Sequence, residues 1–230
     1  MKAMILAAGR GERMRPLTDI TPKPLLKIAG KPLIVWHIEN LVQAGIHELV
    51  INYAHLGVQI EKALCDGSQL GASIQYSPEA KALETAGGIT NALPLLGEDI
   101  FAVINGDIFC DYDFSQLHQH ATEMQANNDA AHLVLVKNPA QHPDGDFGLK
   151  QQRITNNPPK FTFSGIGIYQ PSLFTNIPRG STARLAPLLQ AQIDLDKVSG
   201  ENHKNLWVDV GTPQRLTELD IQMRTLHNMP

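Results

Sequence analysis

Cysteine and long apolar runs are scarce in this sequence. Cys65 and Cys110 are the only cysteines among 230 residues, which does not favour a fold held by disulfide bonds. No apolar run reaches the ~18 residues that a membrane span requires. The chain enters a strand-like run at Lys2 rather than a signal peptide. We therefore expect a cytoplasmic protein without a membrane partner.

Positive charge is also scarce over the chain as a whole. The formal net charge is −4, which argues against a general nucleic-acid binder. Residues 1–32 are the exception, because they contain seven Lys and Arg against two Asp and Glu, which leaves −9 for the rest of the chain. A cationic segment with glycines on an acidic protein indicates a small polyanionic ligand.

The sequence does contain a regular alternation of strand-like and helical patterns. Hydrophobic residues make up 43% of the chain, and at this length roughly 70% of the unfolded surface can be buried in one domain. The alternation predicts an α/β fold, in which a mostly parallel sheet has helices on both faces. The predicted strands are 2–8, 48–53, 72–77, 100–104 and 132–136, and the predicted helices are 32–42, 56–64, 85–93 (ended by Pro94) and 114–125.

The second half of the chain is rich in Pro, Gly and Asn from about residue 137 to about residue 184, which predicts loops. No repeat or linker marks a boundary, so we expect a single domain over residues 1–230. The elements predicted in this half are strands 161–169 and 206–210 and helices 185–193 and 213–226.

A glycine-containing loop follows the first predicted strand. Gly9 and Gly11 allow the backbone to approach a ligand closely, and successive N–H groups there can surround an anion. Met14 occupies the place of the third glycine of a dinucleotide fingerprint, and no Gly-Lys-Ser/Thr triplet follows, so neither nucleotide motif is present. Arg13, and Lys23 between two prolines, add cations that suit phosphate groups.

These motifs resemble the signature of the sugar-1-phosphate nucleotidyltransferases. The likeness rests on L-A-A-G-x-G-x-R-M-x-P-L-T and P-K-P-L, and it extends to E-T-A-G-G, N-G-D, F-S-G-I-G and W-V-D-V-G-T. It implies a Rossmann-like, GT-A-like fold, with a nucleotide-binding part at about residues 1–110 and a sugar-phosphate-binding part at about 111–230. It also implies that a sugar 1-phosphate oxygen attacks the α-phosphorus of a nucleoside triphosphate, and that pyrophosphate leaves.

The resemblance assigns roles to the matching residues. Arg13, Lys23 and Asp107 would be catalytic, with Arg13 at the β- and γ-phosphates and Lys23 at the α-phosphate. The nucleotide would lie against Leu6, Ala7, Ala8, Gly9, Gly11, Glu12, Arg13, Lys23, Glu84, Thr85, Gly88 and Asn105. The sugar phosphate would lie against Asn138, Asp146, Gly148, Ser164 and Arg184.

Asp107 and Asp209 each end a predicted strand, and the resemblance implies that both bind Mg²⁺, for which Mn²⁺ can substitute. Two carboxylates at the edge of a buried sheet would repel each other unless a cation lay between them. For Asp107 alone, a turn former after Asn-Gly is an equally good interpretation. The nine histidines, His118 and His120 included, have no spacing typical of a metal site, so we assign them no role.

One segment of the family pattern is missing. Many members carry a Glu-Lys-Pro triplet whose lysine meets the acceptor phosphate, and residues 150–160 contain no such triplet. Arg184 is therefore our first candidate for that contact, and Lys160 the second. The segments D-F-G-L and K-V-S-G-E resemble those of a subgroup that transfers uridylyl from UTP to N-acetylmuramate 1-phosphate in cell-wall recycling. The lack of the triplet supports the same subgroup.

Two alternatives remain open. In the same reaction class, the chain would transfer a guanylyl, thymidylyl or uridylyl group to mannose or glucose 1-phosphate. In another class, it would be a sugar-nucleotide-binding regulatory subunit without turnover, against which stands the presence of both cations and both aspartates. In each case the partners are small molecules, and we expect a monomer or a small homo-oligomer.

Overall fold

A mixed β-sheet with helices on both faces organises the chain, whose computed structural model describes residues 1–226. The strands are β1 (Ala3–Leu6), β2 (Lys27–Ile28), β3 (Lys31–Pro32), β4 (Glu48–Tyr53), β5 (Ser73–Pro78), β6 (Phe101–Asn105), β7 (Ile108–Cys110), β8 (Ala131–Val136), β9 (Phe147–Lys150), β10 (Arg153–Thr155), β11 (Lys160–Tyr169), β12 (Val198–His203) and β13 (Trp207–Asp209). The helices are α1 (Leu33–Gln43), α2 (Gly57–Leu64), α3 (Glu84–Leu96), α4 (Gln116–Asn127), α5 (Leu185–Asp194) and α6 (Pro213–Leu226).

Within residues 1–226, the central sheet has nine strands in the order β5-β4-β1-β6-β11-β8-β12-β10-β9. The first four strands are parallel, and β12 is parallel to β8. Between these groups, β11 is antiparallel to both β6 and β8. The expected α/β class is confirmed. The parallel arrangement does not extend through the whole sheet, because the short turn between β9 and β10 reverses the chain, and β10 and β11 are both antiparallel to β9.

Strand β1 shows why both faces of the sheet need a cover. Ala3 and Ile5 pack into one hydrophobic cluster and Met4 into another, because successive strand residues point to opposite faces. Full burial of a side chain such as Ile5 contributes about 1.5–3 kcal/mol. The first face is covered by α1, α2 and α4, and the second by α3 and α5. A third cluster includes Met14 of the loop after β1 and Leu219 of α6.

The helices that the sequence predicts are present, with ends shifted by at most three residues. The prediction that Pro94 ends a helix is wrong. The helix α3 continues to Leu96, and the Gly97 N–H closes it on the Leu93 carbonyl at 2.9 Å. A proline in the last turn removes only one backbone hydrogen bond, so the helix can pass through it.

Some strands lie in the part of the chain that the sequence predicts as loop. These are β9 and β10. Two more strands, β7 and β12, lie outside that part at positions where no strand is predicted, and β12 has the polar sequence V-S-G-E-N-H, in which no apolar alternation indicates a strand. It nevertheless pairs with β8 from Val198 to His203.

Within residues 1–226, no helix is long and apolar enough to cross a lipid bilayer.

The parallel strands bring distant loops to one edge of the sheet. Strands β1 and β6 are neighbours, so the segments after Leu6 and Asn105 leave the sheet side by side. The two-stranded pair of β7 and β13 lies beside them, with Asp209 opposite Ile108. Ligands of open α/β sheets bind at this carboxyl edge.

Candidate active site

Two cavities open at the carboxyl ends of β1 and β6. The larger, about 560 Å³, is lined by the loop after β1 and by the start of α3. The smaller, about 260 Å³, is lined by the segment after β8 and by parts of β11 and β13. Arg13, Asn105 and Asp107 line both cavities. The cavities therefore meet at these three side chains.

The loop after β1 folds back on itself. Gly11 has a φ of +65°, and a Cβ added there would lie 2.9 Å from Thr18 Cγ2. The Thr18 hydroxyl donates to the Gly11 carbonyl at 2.8 Å, which holds the loop closed. This loop leaves Arg13 exposed at the cavity wall. The predicted nucleotide-binding residues that line the larger cavity are Leu6, Ala7, Ala8, Gly9, Gly11, Glu12, Arg13, Lys23, Glu84, Thr85 and Asn105.

Lys23 and Asp107 form an ion pair where the cavities meet. Lys23 Nζ lies 2.8 Å from Asp107 Oδ2, and the lysine side chain is only 8% exposed. A buried ammonium group without a partner would be costly, so Asp107 stabilises the lysine in place. Both residues line the larger cavity. The pair keeps a charged cation at the edge of the space that a phosphate would occupy.

Asp107 and Asp209 both line the smaller cavity. The Val210 N–H donates to the Asp107 carbonyl at 2.9 Å, so the two chain segments are in contact. The repulsion expected between the carboxylates is offset by protein cations, because Asp107 pairs with Lys23 and Asp209 Oδ2 lies 2.7 Å from Arg215 Nη1. Arg215, in the first turn of α6, is a partner that the sequence argument missed.

The two aspartates also fit a divalent metal ion. Both ion pairs use Oδ2, and within the described residues no hydrogen bond engages either Oδ1. A Cβ added at Gly211 would lie 2.9 Å from Asp209 Oδ1 and 3.2 Å from Arg13 Nη2, so glycine keeps this corner open. Carboxylate oxygens beside a phosphate-sized cavity are donors that suit Mg²⁺.

A buried amide–carboxylate network, which the sequence analysis missed, lines part of the larger cavity. Asn52 Oδ1 accepts a hydrogen bond from the Ala7 N–H at 2.9 Å, and its Nδ2 donates to Glu79 Oε1 at 2.7 Å. Glu79 Oε2 accepts from the Leu83 N–H at 2.9 Å. Burial raises the pKa of Glu79, although both hydrogen bonds act in the opposite direction. The available signal was Asn52 itself, because a polar residue in an apolar strand requires a partner.

The start of α3 contributes directly and indirectly to the larger cavity. Glu84 and Thr85 line it, and Glu84 has a φ of +61°, which is uncommon outside glycine. Gly88 does not line it. A Cβ added at Gly88 would lie 2.8 Å from Glu79 Oε1 and 2.9 Å from Asn52 Nδ2. Gly88 therefore makes room for the buried network.

The five residues expected at the sugar phosphate are not all brought together. Ser164 lines the smaller cavity, whereas the other four line neither cavity. Gly148 lies within β9, and Arg184 is exposed immediately before α5. Lys160, the second candidate for the acceptor phosphate, begins β11 and lines neither cavity.

Asn138 and Asp146 instead stabilise the loop that borders the smaller cavity. Asn138 Nδ2 donates to the carbonyls of Pro143 and Lys160 at 2.8 and 3.0 Å. Asp146 accepts from the Phe163 N–H at 2.8 Å. The lining residues that the sequence analysis missed are Ile108, Pro139, Gln141, His142, Thr162, Phe163 and Trp207.

Comparison with known proteins decides the class. Residues 2–225 match the family model described as "Nucleotidyl transferase". The chain belongs to the nucleotidyl transferase family. It is therefore an enzyme of the class that the sequence motifs indicate, and dependence on a divalent metal ion is typical of this family.

Named relatives are consistent with this assignment. The chain is 56% identical over 223 residues to the N-acetylmuramate alpha-1-phosphate uridylyltransferase of Neisseria meningitidis serogroup B, with 95% of this chain and 96% of the relative covered. It is 31% identical over 230 residues to the mannose-1-phosphate guanyltransferase of Hypocrea jecorina. That match covers 93% of this chain and 62% of the relative's length.

Solved structures of the nucleotidyl transferase type share the fold. A putative glucose-1-phosphate thymidylyltransferase from Bacillus anthracis superposes with a TM-score of 0.85 at 22% identity, over 97% of this chain and 95% of that one. A UDP-glucose pyrophosphorylase complexed with UDP-glucose superposes with a TM-score of 0.77 at 20% identity, over 98% of each chain. The expected GT-A-like fold is confirmed.

Proposed function

We propose that the protein transfers a uridylyl group from UTP to N-acetylmuramate 1-phosphate, which yields UDP-N-acetylmuramate and pyrophosphate. The observation that carries the proposal is the 56% identity, over nearly the whole of both chains, to a relative with that activity in its name. The guanyltransferase relative is much more distant, at 31% identity. The proposal places the enzyme in the cytoplasm and in cell-wall recycling.

In this proposal the larger cavity holds UTP. The backbone from Leu6 to Gly11 lies against base and ribose, with Glu84 and Thr85 near the base. Arg13 makes a forked contact with the β- and γ-phosphates, while Lys23 contacts the α-phosphate as a point charge. Support comes from the cavity lining, in which all of these residues occur.

The chemical step requires no covalent bond to the protein. An oxygen of the sugar phosphate attacks the α-phosphorus, a new phosphorus–oxygen bond forms, and the bond to the pyrophosphate oxygen breaks. Lys23 and Arg13 oppose the negative charge on the reacting phosphates, and the two adjoining cavities favour alignment of the reactants. Arg13 lines both cavities, so it is available to phosphates on either side.

Asp107 and Asp209 would hold Mg²⁺, for which Mn²⁺ can substitute. When bound, the ion would neutralise charge on the phosphate oxygens. Support comes from the shared position of the two carboxylates at the smaller cavity and from the free Oδ1 atoms described above.

The smaller cavity would hold the acceptor sugar. Gln141, His142 and Thr162 supply polar groups to its wall, and Ser164 lies beside them. Asn138 and Asp146 act by shaping this loop, since their side chains bond within it. Arg184, and Lys160 as the second choice, stay our candidates for the acceptor phosphate, although neither lines these two cavities.

The test is pyrophosphate release over a matrix of nucleoside triphosphates and sugar 1-phosphates. We expect the highest kcat/KM for UTP with N-acetylmuramate 1-phosphate. A higher value for GTP with mannose 1-phosphate would reject the substrate assignment while leaving the reaction class intact. No turnover of any pair in the presence of Mg²⁺ would favour the regulatory subunit.

A further inference from the structure

Three side chains that can bind a metal ion converge outside the candidate active site. His120 lies on α4, His132 on β8 and Glu201 on β12, and one ligand atom from each lies within 4.8 Å of the other two. None of the three lines either cavity. Sequence spacing gave no sign of this cluster, because 12 and 69 residues separate its successive members.

The fold explains the convergence. Strands β8 and β12 are parallel, with Ser199 opposite His132, so Ser199, Glu201 and His132 project from the same face. Helix α4 packs on this face through Leu117 and Met124, which share a hydrophobic cluster with Val134 of β8. His120 therefore faces the two strands from above.

Each of the two imidazoles has a polar contact at Nδ1, and these contacts bear on which ring nitrogen carries the proton. His132 Nδ1 lies 3.0 Å from the Ser199 hydroxyl, and His120 Nδ1 lies 3.4 Å from Glu123 Oε2. The Glu123 carboxylate can only accept a hydrogen bond and the Ser199 hydroxyl can accept one, so both contacts are compatible with the tautomer that carries its proton on Nδ1. In that tautomer, the Nε2 atom of each ring has a lone pair that faces Glu201 Oε1.

Those two nitrogens are buried and have no hydrogen bond within residues 1–226. His120 Nε2 lies 3.1 Å and His132 Nε2 3.7 Å from the same atom, Glu201 Oε1. The His132 side chain is only 6% exposed. In the tautomer with Nδ1–H, both Nε2 lone pairs face an anionic oxygen in a buried site, and a cation between them, either a proton or a metal ion, would relieve the repulsion.

We propose that His120, His132 and Glu201 bind one divalent transition-metal ion, with Zn²⁺ as the best fit. Two imidazoles and one carboxylate are a ligand set that Zn²⁺ takes, and tetrahedral bonds of about 2.0–2.2 Å separate neighbouring ligand atoms by about 3.3–3.5 Å. The two distances to Glu201 fall on either side of that value.

The surrounding groups suit a metal site. Ser199 and Glu123 orient the imidazoles through Nδ1, and the Tyr112 hydroxyl donates to Glu201 Oε1 at 2.6 Å. Such outer contacts fix the ligand rings in metalloproteins. The imidazoles are stacked, with centroids 4.1 Å apart and planes 14° apart. Coordination would tilt one ring relative to the other, so metal binding should change the NMR signals of both imidazoles.

The ion would have a structural role, since it would connect α4 to β8 and β12 at a distance from the chemistry. Its competitor is a single shared proton. Contact with Glu201 raises the pKa of His120, whereas burial lowers the pKa of His132. Burial raises the pKa of Glu201, but contacts with His120, His132 and Tyr112 outweigh it and hold it below the usual range.

The experiment is Zn²⁺ titration of chelator-treated full-length protein against a chromophoric chelator, with excess Mg²⁺ present to occupy carboxylate sites elsewhere. We expect one Zn²⁺ per chain and a rise in Tm. Glu201→Gln and His132→Gln should each weaken binding at least ~10-fold, because changes even to outer contacts of a metal site cost 10–100-fold. His118→Gln, on the same helix but outside the cluster, should bind as wild type does.

A second readout covers variants that fail to fold. In the wild-type protein, Zn²⁺ should shift the NMR signals of the His120 and His132 Nε2 atoms and leave His118 unchanged. No stoichiometric Zn²⁺, unchanged Nε2 signals, or equal affinity in folded Glu201→Gln would overturn the proposal and leave the shared proton. Uridylyl transfer is not part of this readout, so failure here does not bear on the proposed function.

Discussion

Lys23 and Asp107 are 84 residues apart in the sequence, yet their side chains form an ion pair of 2.8 Å where the two cavities meet. The pair gives a nearly buried ammonium group an anionic partner. It also fixes the position of a carboxylate that we place in the metal site. A cation ordered in this way loses little conformational entropy when a phosphate arrives.

Replacing Arg13 by Ala should lower kcat/KM for the nucleotide by at least ~100-fold, because a charge-assisted forked contact is lost. Folding should change little, since Arg13 is exposed. Steady-state kinetics with varied UTP checks the first point and thermal unfolding the second. Arg15→Ala is the matched control, because Arg15 pairs with Asp19 and lines neither cavity. Equal rates in the two variants would remove Arg13 from the mechanism.

Asp107→Asn and Asp209→Asn should each lower kcat by ~1000-fold or more in saturating Mg²⁺, since each removes charge from the proposed metal site. Asp107→Asn should also destabilise the fold by about 1–3 kcal/mol, because it leaves the Lys23 ammonium buried without an anion. Relief of the carboxylate repulsion that the sequence predicts would act in the opposite direction and raise the stability.

The double variant Lys23→Met/Asp107→Asn is the control for this stability effect. Removal of the ammonium group as well should restore much of the lost Tm but none of the activity. If single Asp107→Asn instead melted above wild type, the ion pair would not be the dominant interaction of Asp107.

The sequence predicts the site residues that lie close together in the chain, but not the partners that tertiary packing brings to them. Gly11, Arg13 and Lys23 stand in one short segment, so their shared place in a cavity follows from local motif and strand order. Arg215 reaches Asp209 because α6 docks beside β13, and no local pattern reports that contact. His120 was set aside for lack of spacing, although packing of α4 on the sheet places it beside Glu201.

The Asn52 network gives a further test. Asn52→Leu should lower the free energy of unfolding by about 2–3 kcal/mol. The change removes the hydrogen-bond acceptor of the Ala7 N–H and the donor to Glu79 Oε1, and both groups are in a buried site. It should also raise KM for UTP, since both partners line the larger cavity. Denaturant unfolding measures the first effect. Asn91→Leu, at a partly exposed position bonded to Ser77, should cost clearly less.

His37 predicts an acid-sensitive fold. It is buried against the Ile108 carbonyl at 2.8 Å, and burial lowers its pKa to about 4 from 6.5, despite opposing effects of that hydrogen bond and of Asp107. The unfolded chain therefore takes up the proton first as the pH falls. The neutral imidazole contributes its full stability above pH ~6.5, and this contribution is lost progressively toward pH 4.

The loss should amount to about 3 kcal/mol over that interval, on the basis of 1.36 kcal/mol per pH unit. Denaturant unfolding between pH 7 and pH 4 should show a steeper decline for wild type than for His37→Gln, which keeps a donor but does not titrate. His47→Gln, at an exposed histidine, should follow the wild-type curve. Parallel curves for wild type and His37→Gln would mean that His37 does not control acid stability.

The central claim is that this chain joins UTP to N-acetylmuramate 1-phosphate, and one measurement tests it most directly. Wild-type enzyme with Mg²⁺ is given equal concentrations of UTP, GTP, N-acetylmuramate 1-phosphate and mannose 1-phosphate in one reaction, and the nucleotide sugars are separated and identified by mass. We predict UDP-N-acetylmuramate as the dominant product, with pyrophosphate in equal amount. A dominant GDP-mannose product would contradict the account.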